Sequence, residues 1–334
     1  MNSLQRVQAV LNHEPADRIP NFDIMMSFAA HYIGKPLSSY YQDYRVLCEA
    51  NFAVQEAFQL DIVQAISDPY REAADAGLEV EFPEDDLPIN KLPLLIDPNA
   101  LHNLRFPAPA EGRRMSDRLE AIRYFHERAG GEIPVMGWVE GALAEAADLR
   151  GITQIMMDLV QRPEWVIELL ERCVETEIAF ARAQVEAGAD IIGLGDAIAS
   201  QISPSMYRRF ALPYEQRIFA AVREAGAIPR LHICGNTTHL LADMAHSGAE
   251  VFDIDWMVDL QRASELLPGI LCGNADPVAI FLNGRPEQVQ EAICANYQAA
   301  FPKWISGAGC EIPRMTPHQN VLAQAQILQA LSKN

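Results

Sequence analysis

The chain has 334 residues, of which 49% are hydrophobic and 21% charged, and its formal net charge is −19. That length suits one large α/β domain, and the ordinary apolar share excludes a disordered chain. The acidity argues against nucleic acid or an anionic membrane as partner, because both are recognised by clustered Lys and Arg that neutralise phosphate. The opening MNSLQRVQAVLNHEPADRIP has no signal-type apolar run, and no segment approaches the roughly 20 uninterrupted apolar residues of a membrane span, so a cytoplasmic protein is expected. Six cysteines without a framework spacing point to reduced thiols rather than disulfides.

In chain order, short Val- and Ile-rich runs alternate with segments of helical period. The predicted strands are RIPNFDI near 18–24, LDIVQAIS at 60–67, IPVMGWV at 133–139, ADIIGLG at 189–195, IPRLHIC at 228–234, EVFDIDW at 250–256, GILCGN at 269–274 and KWISGAG at 303–309. Predicted helices cover 43–58, 115–129, 163–187, 203–225, 237–246 and 286–300, and EAGAD, EAGAI and HSGAE each set a glycine between a helix and the next strand. Strand–helix alternation repeated eight times predicts a (β/α)8 TIM barrel with an N-terminal helical extension. An open doubly wound sheet is the alternative, weakened by the lack of a nucleotide-binding glycine fingerprint. Residues 70–110, dense in proline and acids, break the alternation and read as an insertion after the second strand, all within one domain spanning 1–334.

RLHICGN, at 230–236, places a histidine and a cysteine two residues apart. On a strand such residues share a face, so His232 and Cys234 project together into the barrel mouth. Cys310, in the glycine-rich SGAGCEIP at the end of the eighth strand, is the third candidate, with Cys272 in GILCGN as its competitor. One imidazole and two thiolates suit zinc and leave a fourth position open. Two thiolates make the ion a weak generator of hydroxide and a better site for capturing a substrate thiol, which points to alkyl transfer to sulfur. A buried core thiol beside a hydrogen-bonded core histidine explains the pair equally well at this stage.

Several blocks together resemble the uroporphyrinogen decarboxylase family: AISDP at 65–69, GWVEGALAEAADLRG at 137–151, GADIIGLGDAIASQISP at 188–204, FALPYEQRI at 210–218, HSGAEVFDIDW at 246–256, GNADP at 273–277 and TPHQN at 316–320. H-x-C followed far downstream by a cysteine is similar to the zinc signature of its methylcobamide:coenzyme M methyltransferase branch. The arginine-rich motif with which the decarboxylases grip a polycarboxylate is absent from NFDIMMSFAAHYIG. The resemblance implies a barrel, zinc on His232, Cys234 and Cys310, and Asp255 as a displaceable carboxylate with Asp253 its rival. It also implies methyl transfer between a methylated corrinoid, as co-substrate, and a small thiol such as coenzyme M. No corrinoid-binding domain is visible, so a separate corrinoid protein docking on the barrel mouth is expected. Asp68 matches the decarboxylases' key aspartate, and Asp68, Glu140, Asp196, Asn274 and Asp276 are expected to line the mouth, with helix capping the alternative role for Asp196 and Asp276. Demethylation of a substrate toward the corrinoid, porphyrinogen decarboxylation and a purely structural zinc remain the other readings.

Overall fold

In the computed structural model, which describes residues 1–331, a seven-stranded parallel sheet runs in the order β1 (Val63–Gln64), β4 (Val135–Glu140), β5 (Ile191–Gly195), β6 (Ile228–His232), β7 (Val251–Ile254), β8 (Ile270–Gly273) and β9 (Trp304–Ile305), with β2 (Val80–Glu81) and β3 (Ile89–Asn90) forming a separate antiparallel hairpin. The eighth position is filled by a single residue. Asn21 makes a parallel bridge to Ser306 beyond β9, and its carbonyl accepts from the Asp61 amide just before β1 at 2.9 Å. The segment predicted as the first strand thus closes the sheet into a barrel with one bridge, because Pro20 has no N–H and the chain leaves the ladder after Phe22.

Residues of alternate parity separate two cores. Phe22, Ile24, Ile62, Met136, Trp138, Ile191, Val251, Ile270 and Ile305 pack inside the barrel, while the larger cluster lies between the barrel wall and its helices. The helix Ser3–Leu11, started by a capping box between Asn2 and Gln5, inserts Val7 and Val10 into the inner cluster. It thereby fills the end of the barrel opposite the C-terminal ends of the strands. Polar side chains are consequently admitted into the barrel at the other end.

Two predicted helices differ. The 203–225 helix is split into Pro204–Phe210 and Leu212–Glu224, since Pro213 cannot donate into the helical ladder. The 237–246 helix shrinks to Leu241–Met244, its start consumed by a turn in which Asn236 Oδ1 accepts from the Thr238 amide. Within 70–110 lie a short helix (Arg71–Asp75), the β2–β3 hairpin and a 3-10 helix (Pro98–Asn103). This segment is tied to the helix Ala142–Arg150 through Asn90 Nδ2 to the Asp148 carbonyl at 3.1 Å and the Leu95 amide to the Leu149 carbonyl at 2.9 Å. No described helix is long and apolar enough to cross a membrane.

Candidate metal centre

The parallel register sets Glu140, Gly195, His232, Asp253 and Cys272 in one row across β4 to β8. Residues two apart share a face, so Arg230, His232 and Cys234 climb the inside of the barrel from mid-strand to the loop past its C-terminal end. Cys310 arrives from the loop after β9. That loop lies tight against the turn after β7: a Cβ on Gly309 would fall 2.3 Å from the Trp256 amide nitrogen, so only glycine fits.

These elements bring His232, Cys234 and Cys310 together, with one donor atom from each lying within 4.8 Å of the others. Cys234 Sγ is 3.9 Å from Cys310 Sγ and 2.9 Å from His232 Nε2. Two sulfurs on a tetrahedral zinc stand roughly 3.8 Å apart and a sulfur and a nitrogen roughly 3.6 Å. The sulfurs therefore already fit, and the His232–Cys234 contact must open by several tenths of an ångström. The thiols are electrostatically unequal. Cys234's hydrogen bond, aided by His232, pulls the Cys310 thiol down to about 4 against burial, while the same sulfur–sulfur contact and burial push Cys234 up. A soft donor set with one sulfur ready to ionise fits a zinc ion.

Behind the trio stands a fixed support. Asp253 Oδ2 lies 3.3 Å from His232 Nδ1, an ion-pair approach rather than an aligned hydrogen bond, and Nδ1 has no other partner among the described residues. Asp253 is gripped by Arg230, through Nε at 2.9 Å and Nη2 at 2.8 Å. Burial pushes the Asp253 carboxyl up, but Arg230 and His232 outweigh it and hold the group below the usual range. Asp255 lies outside the trio: its Oδ2 accepts from the Gly235 amide at 2.8 Å and its Oδ1 from the Met257 amide at 3.0 Å. It braces the loop that carries Cys234. Cys272 is also outside, its sulfur 3.8 Å from Arg230 Nη2.

The other expected lining residues divide. Asp68 is buried and paired with Arg114 Nη2 at 2.5 Å, and its carbonyl accepts from Arg71. Glu140 accepts from Arg71 and from the Trp138 indole inside the barrel. Asp196, of opposite parity to Gly195, is buried against Gly141 and makes no capping bond. Asn274 donates to the carbonyls of Asp255 and Val258, and Asp276 caps the turn that follows by accepting from the Val278 and Ala279 amides. Sequence reasoning missed Arg71, Arg114, Arg230 and Trp138, none of which stands in a spacing pattern of its own.

A second group of acids is buried behind β4. The helices Arg71–Asp75, Ala142–Arg150 and Pro163–Glu186 bury Glu72, Glu145 and Glu177 completely, and both oxygens of Glu145 lack a hydrogen-bond partner. Burial, then the charges of Glu72 and Asp148, pushes the Glu145 carboxyl well above the usual range. The folded state therefore keeps a proton that the unfolded chain releases above pH ~4.3, and stability declines as pH rises from there. Glu145→Gln is expected to flatten this decline and to be more stable than the wild type by roughly 1–3 kcal/mol at pH 8, read from urea unfolding at pH 5 and 8. Equal slopes for both proteins would show that Glu145 does not hold the proton.

A family model described as uroporphyrinogen decarboxylase matches residues 2–331. Among curated proteins, the chain is 36% identical to a methylcobamide:CoM methyltransferase, MtbA, from Methanosarcina mazei over 62% of this chain, and the match spans 61% of that relative's own length. It is 30% identical to a uroporphyrinogen decarboxylase from Nocardia farcinica, over 73% of this chain and 69% of the relative. A solved structure of a methyltransferase from Methanosarcina mazei superposes with a TM-score of 0.90 at 24% identity, covering 99% of both chains, and so shares the fold.

Proposed function

The chain belongs to the uroporphyrinogen decarboxylase family, and from that premise we propose that it is a zinc-dependent methyltransferase, moving a methyl group from a methylated corrinoid to a small thiol. The observation that carries this reading is the His232, Cys234 and Cys310 donor set at the barrel mouth. A zinc ion held by those three residues would supply Lewis acidity that makes a thiol give up its proton while leaving the sulfur nucleophilic. Arg230 and Asp253 keep the His232 ring oriented with Nε2 toward the two sulfurs. Asp255 fixes the turn at Gly235, and Gly309 lets the Cys310 loop close over the same point. The donor set and the methyltransferase relatives favour this reading together.

The buried arginines favour it over decarboxylation. A polycarboxylate needs free guanidinium groups, yet Arg114 is spent on Asp68 and the Tyr41 carbonyl, and Arg71 on the Asp68 carbonyl, Glu72 and Glu140. The corrinoid is expected to arrive on a separate small protein that docks over the C-terminal end of the barrel, in the cytoplasm. The test is to incubate zinc-loaded protein with methylcobalamin and a panel of small thiols and to follow the cobalt spectrum. Thiol-dependent loss of the methyl–cobalt bond, absent after chelation, is expected. Demethylation by none of the thiols overturns the proposal, and metal-free turnover of uroporphyrinogen would replace it with decarboxylation.

A further inference from the structure

We infer that Glu140 is the group that accepts the proton of the incoming thiol, an assignment that rests on the methyl-transfer reading above. Glu140 and His232 occupy the same row on strands either side of β5, so their backbones stand two strand spacings, roughly 10 Å, apart. The position between them is Gly195, which leaves that space without a side chain. A Cβ there would fall 3.2 Å from Glu140 Oε2 and 3.0 Å from Trp138 Cζ2. The carboxylate thus leans across the glycine toward β6. The Trp138 ring, 6.1 Å from the His232 ring and tilted 56° to it, forms the apolar floor of the gap.

The two oxygens of Glu140 are not equivalent. Oε1 accepts from Arg71 Nη2 at 3.0 Å and from Trp138 Nε1 at 3.2 Å, which fixes the direction of the group. Oε2 makes no hydrogen bond with any described residue and is the oxygen that overhangs Gly195. Asp253 is committed to Arg230 and His232, Asp255 to two backbone amides and Asp68 to Arg114. Asp196, whose oxygens also lack a hydrogen-bond partner among the described residues, has the opposite parity and is turned against Gly141, and Asp23 accepts from the Ala308 amide just past β9.

The proton balance is simple. The S–H bond breaks, an O–H bond forms at Glu140 Oε2, and the electron pair stays on sulfur. That sulfur then bonds to the methyl carbon while the Co–C bond breaks with its electron pair left on cobalt. Glu140, at 7% exposure, keeps the proton while the new thiolate charge stands beside it and returns it to water at the barrel mouth once the thioether has left. Burial pushes its carboxyl up to about 7 against the pull of Arg71, with Glu72 adding to the rise. Glu145, Asp148, Glu177 and Asp196 also face it electrostatically from the adjoining helices and from the end of β5. A base poised near the operating pH is the effective one.

The test uses zinc-loaded protein with coenzyme M and 2-mercaptoethanol as probes. In infrared difference spectra at pH 8, thiol binding to the wild type is expected to create a carboxylic acid carbonyl band, and Glu140→Gln is expected to lose it. Cobalt(II)-substituted protein reports independently, by its sulfur-to-metal charge-transfer band, that thiol reaches the metal in both. Trp138→Phe keeps the carboxylate but removes an indole donor that favours its ionised form, so the pH midpoint of the infrared band is expected to shift upward. A band that survives in Glu140→Gln, or thiol binding to the wild type with no such band, overturns the assignment and leaves the methyl-transfer reading standing. Failure of any thiol to reach the metal overturns both.

Discussion

Cys310→Ser is expected to lose most of its zinc, and the wild type, purified without added metal, is expected to carry about one per chain. Cys310 lies 76 residues from Cys234 in sequence and supplies one of only two sulfurs in the donor set. Serine keeps the volume but replaces a soft, ionisable donor with a hydroxyl that stays protonated at neutral pH. Zinc bound through four ligands is held by roughly 10–16 kcal/mol, so losing one thiolate removes about 3 kcal/mol, or on the order of 100-fold in affinity. The loop itself should stay in place, because Gly309 donates to the Ala275 carbonyl and Ile312 to the Ile24 carbonyl independently of the sulfur. Cys272→Ser is the internal control, with a sulfur in the same barrel that faces Arg230 and lies outside the trio; it is expected to retain its metal. Metal analysis after dialysis against a weak chelator, with circular dichroism to monitor folding, decides the matter. Full zinc in Cys310→Ser, or a zinc-free wild type, would sink the assignment.

Much of this site is legible in the sequence because strand parity is local. Two residues apart on a strand means one face, so HIC at 232–234 reads from the sequence alone as a pair of inward side chains. Parity alone does not separate Asp253 from Asp255, which share a face. Register does: Asp253 is level with His232 and meets its ring, whereas Asp255 lies one step beyond the strand and turns its oxygens to the backbone. Register depends on neighbouring strands far away in sequence, and so do the arginines. Arg114 reaches Asp68 across 46 residues and Arg71 reaches Glu140 across 69. The buried acids were hidden for a different reason. Glu145 and Glu177 sit on helices whose acids look solvated when 45 of 334 residues are acidic, and only packing distinguishes a buried glutamate from an exposed one. The eight-strand count survived even though the first strand is a single bridge, because Pro20 to Phe22 still pairs with Ser306.

Asp253→Ala is expected to cost about 3–5 kcal/mol of folding stability, the range found when one partner of a buried ion pair is removed. Arg230 is 1% exposed; apart from Asp253 its guanidinium meets the Met136 sulfur at 3.2 Å, the Cys272 sulfur and the face of Phe22. None of these can neutralise a full charge, and Asp23, the other carboxyl that acts on Arg230, makes no hydrogen bond to it and is pushed up to about 6 by burial, so alanine at 253 leaves a cation inside the barrel without its ion-pair partner. The same substitution removes the only acceptor beside His232 Nδ1 among the described residues. Loss of such an outer partner typically weakens metal binding 10–100-fold, roughly 1.4–2.8 kcal/mol. The two effects separate in a double variant. Arg230→Met with Asp253→Ala removes both charges and is expected to recover most of the stability, since a buried pair replaced by apolar side chains is often neutral or better. It cannot recover the metal affinity, because His232 still lacks its acceptor and its ring can turn. Urea unfolding and competition with a coloured chelator read the two quantities on the same samples. Wild-type metal affinity in the double variant would mean that Asp253 serves only to neutralise Arg230, and that Cys234 and Cys310 alone hold the His232 ring in place.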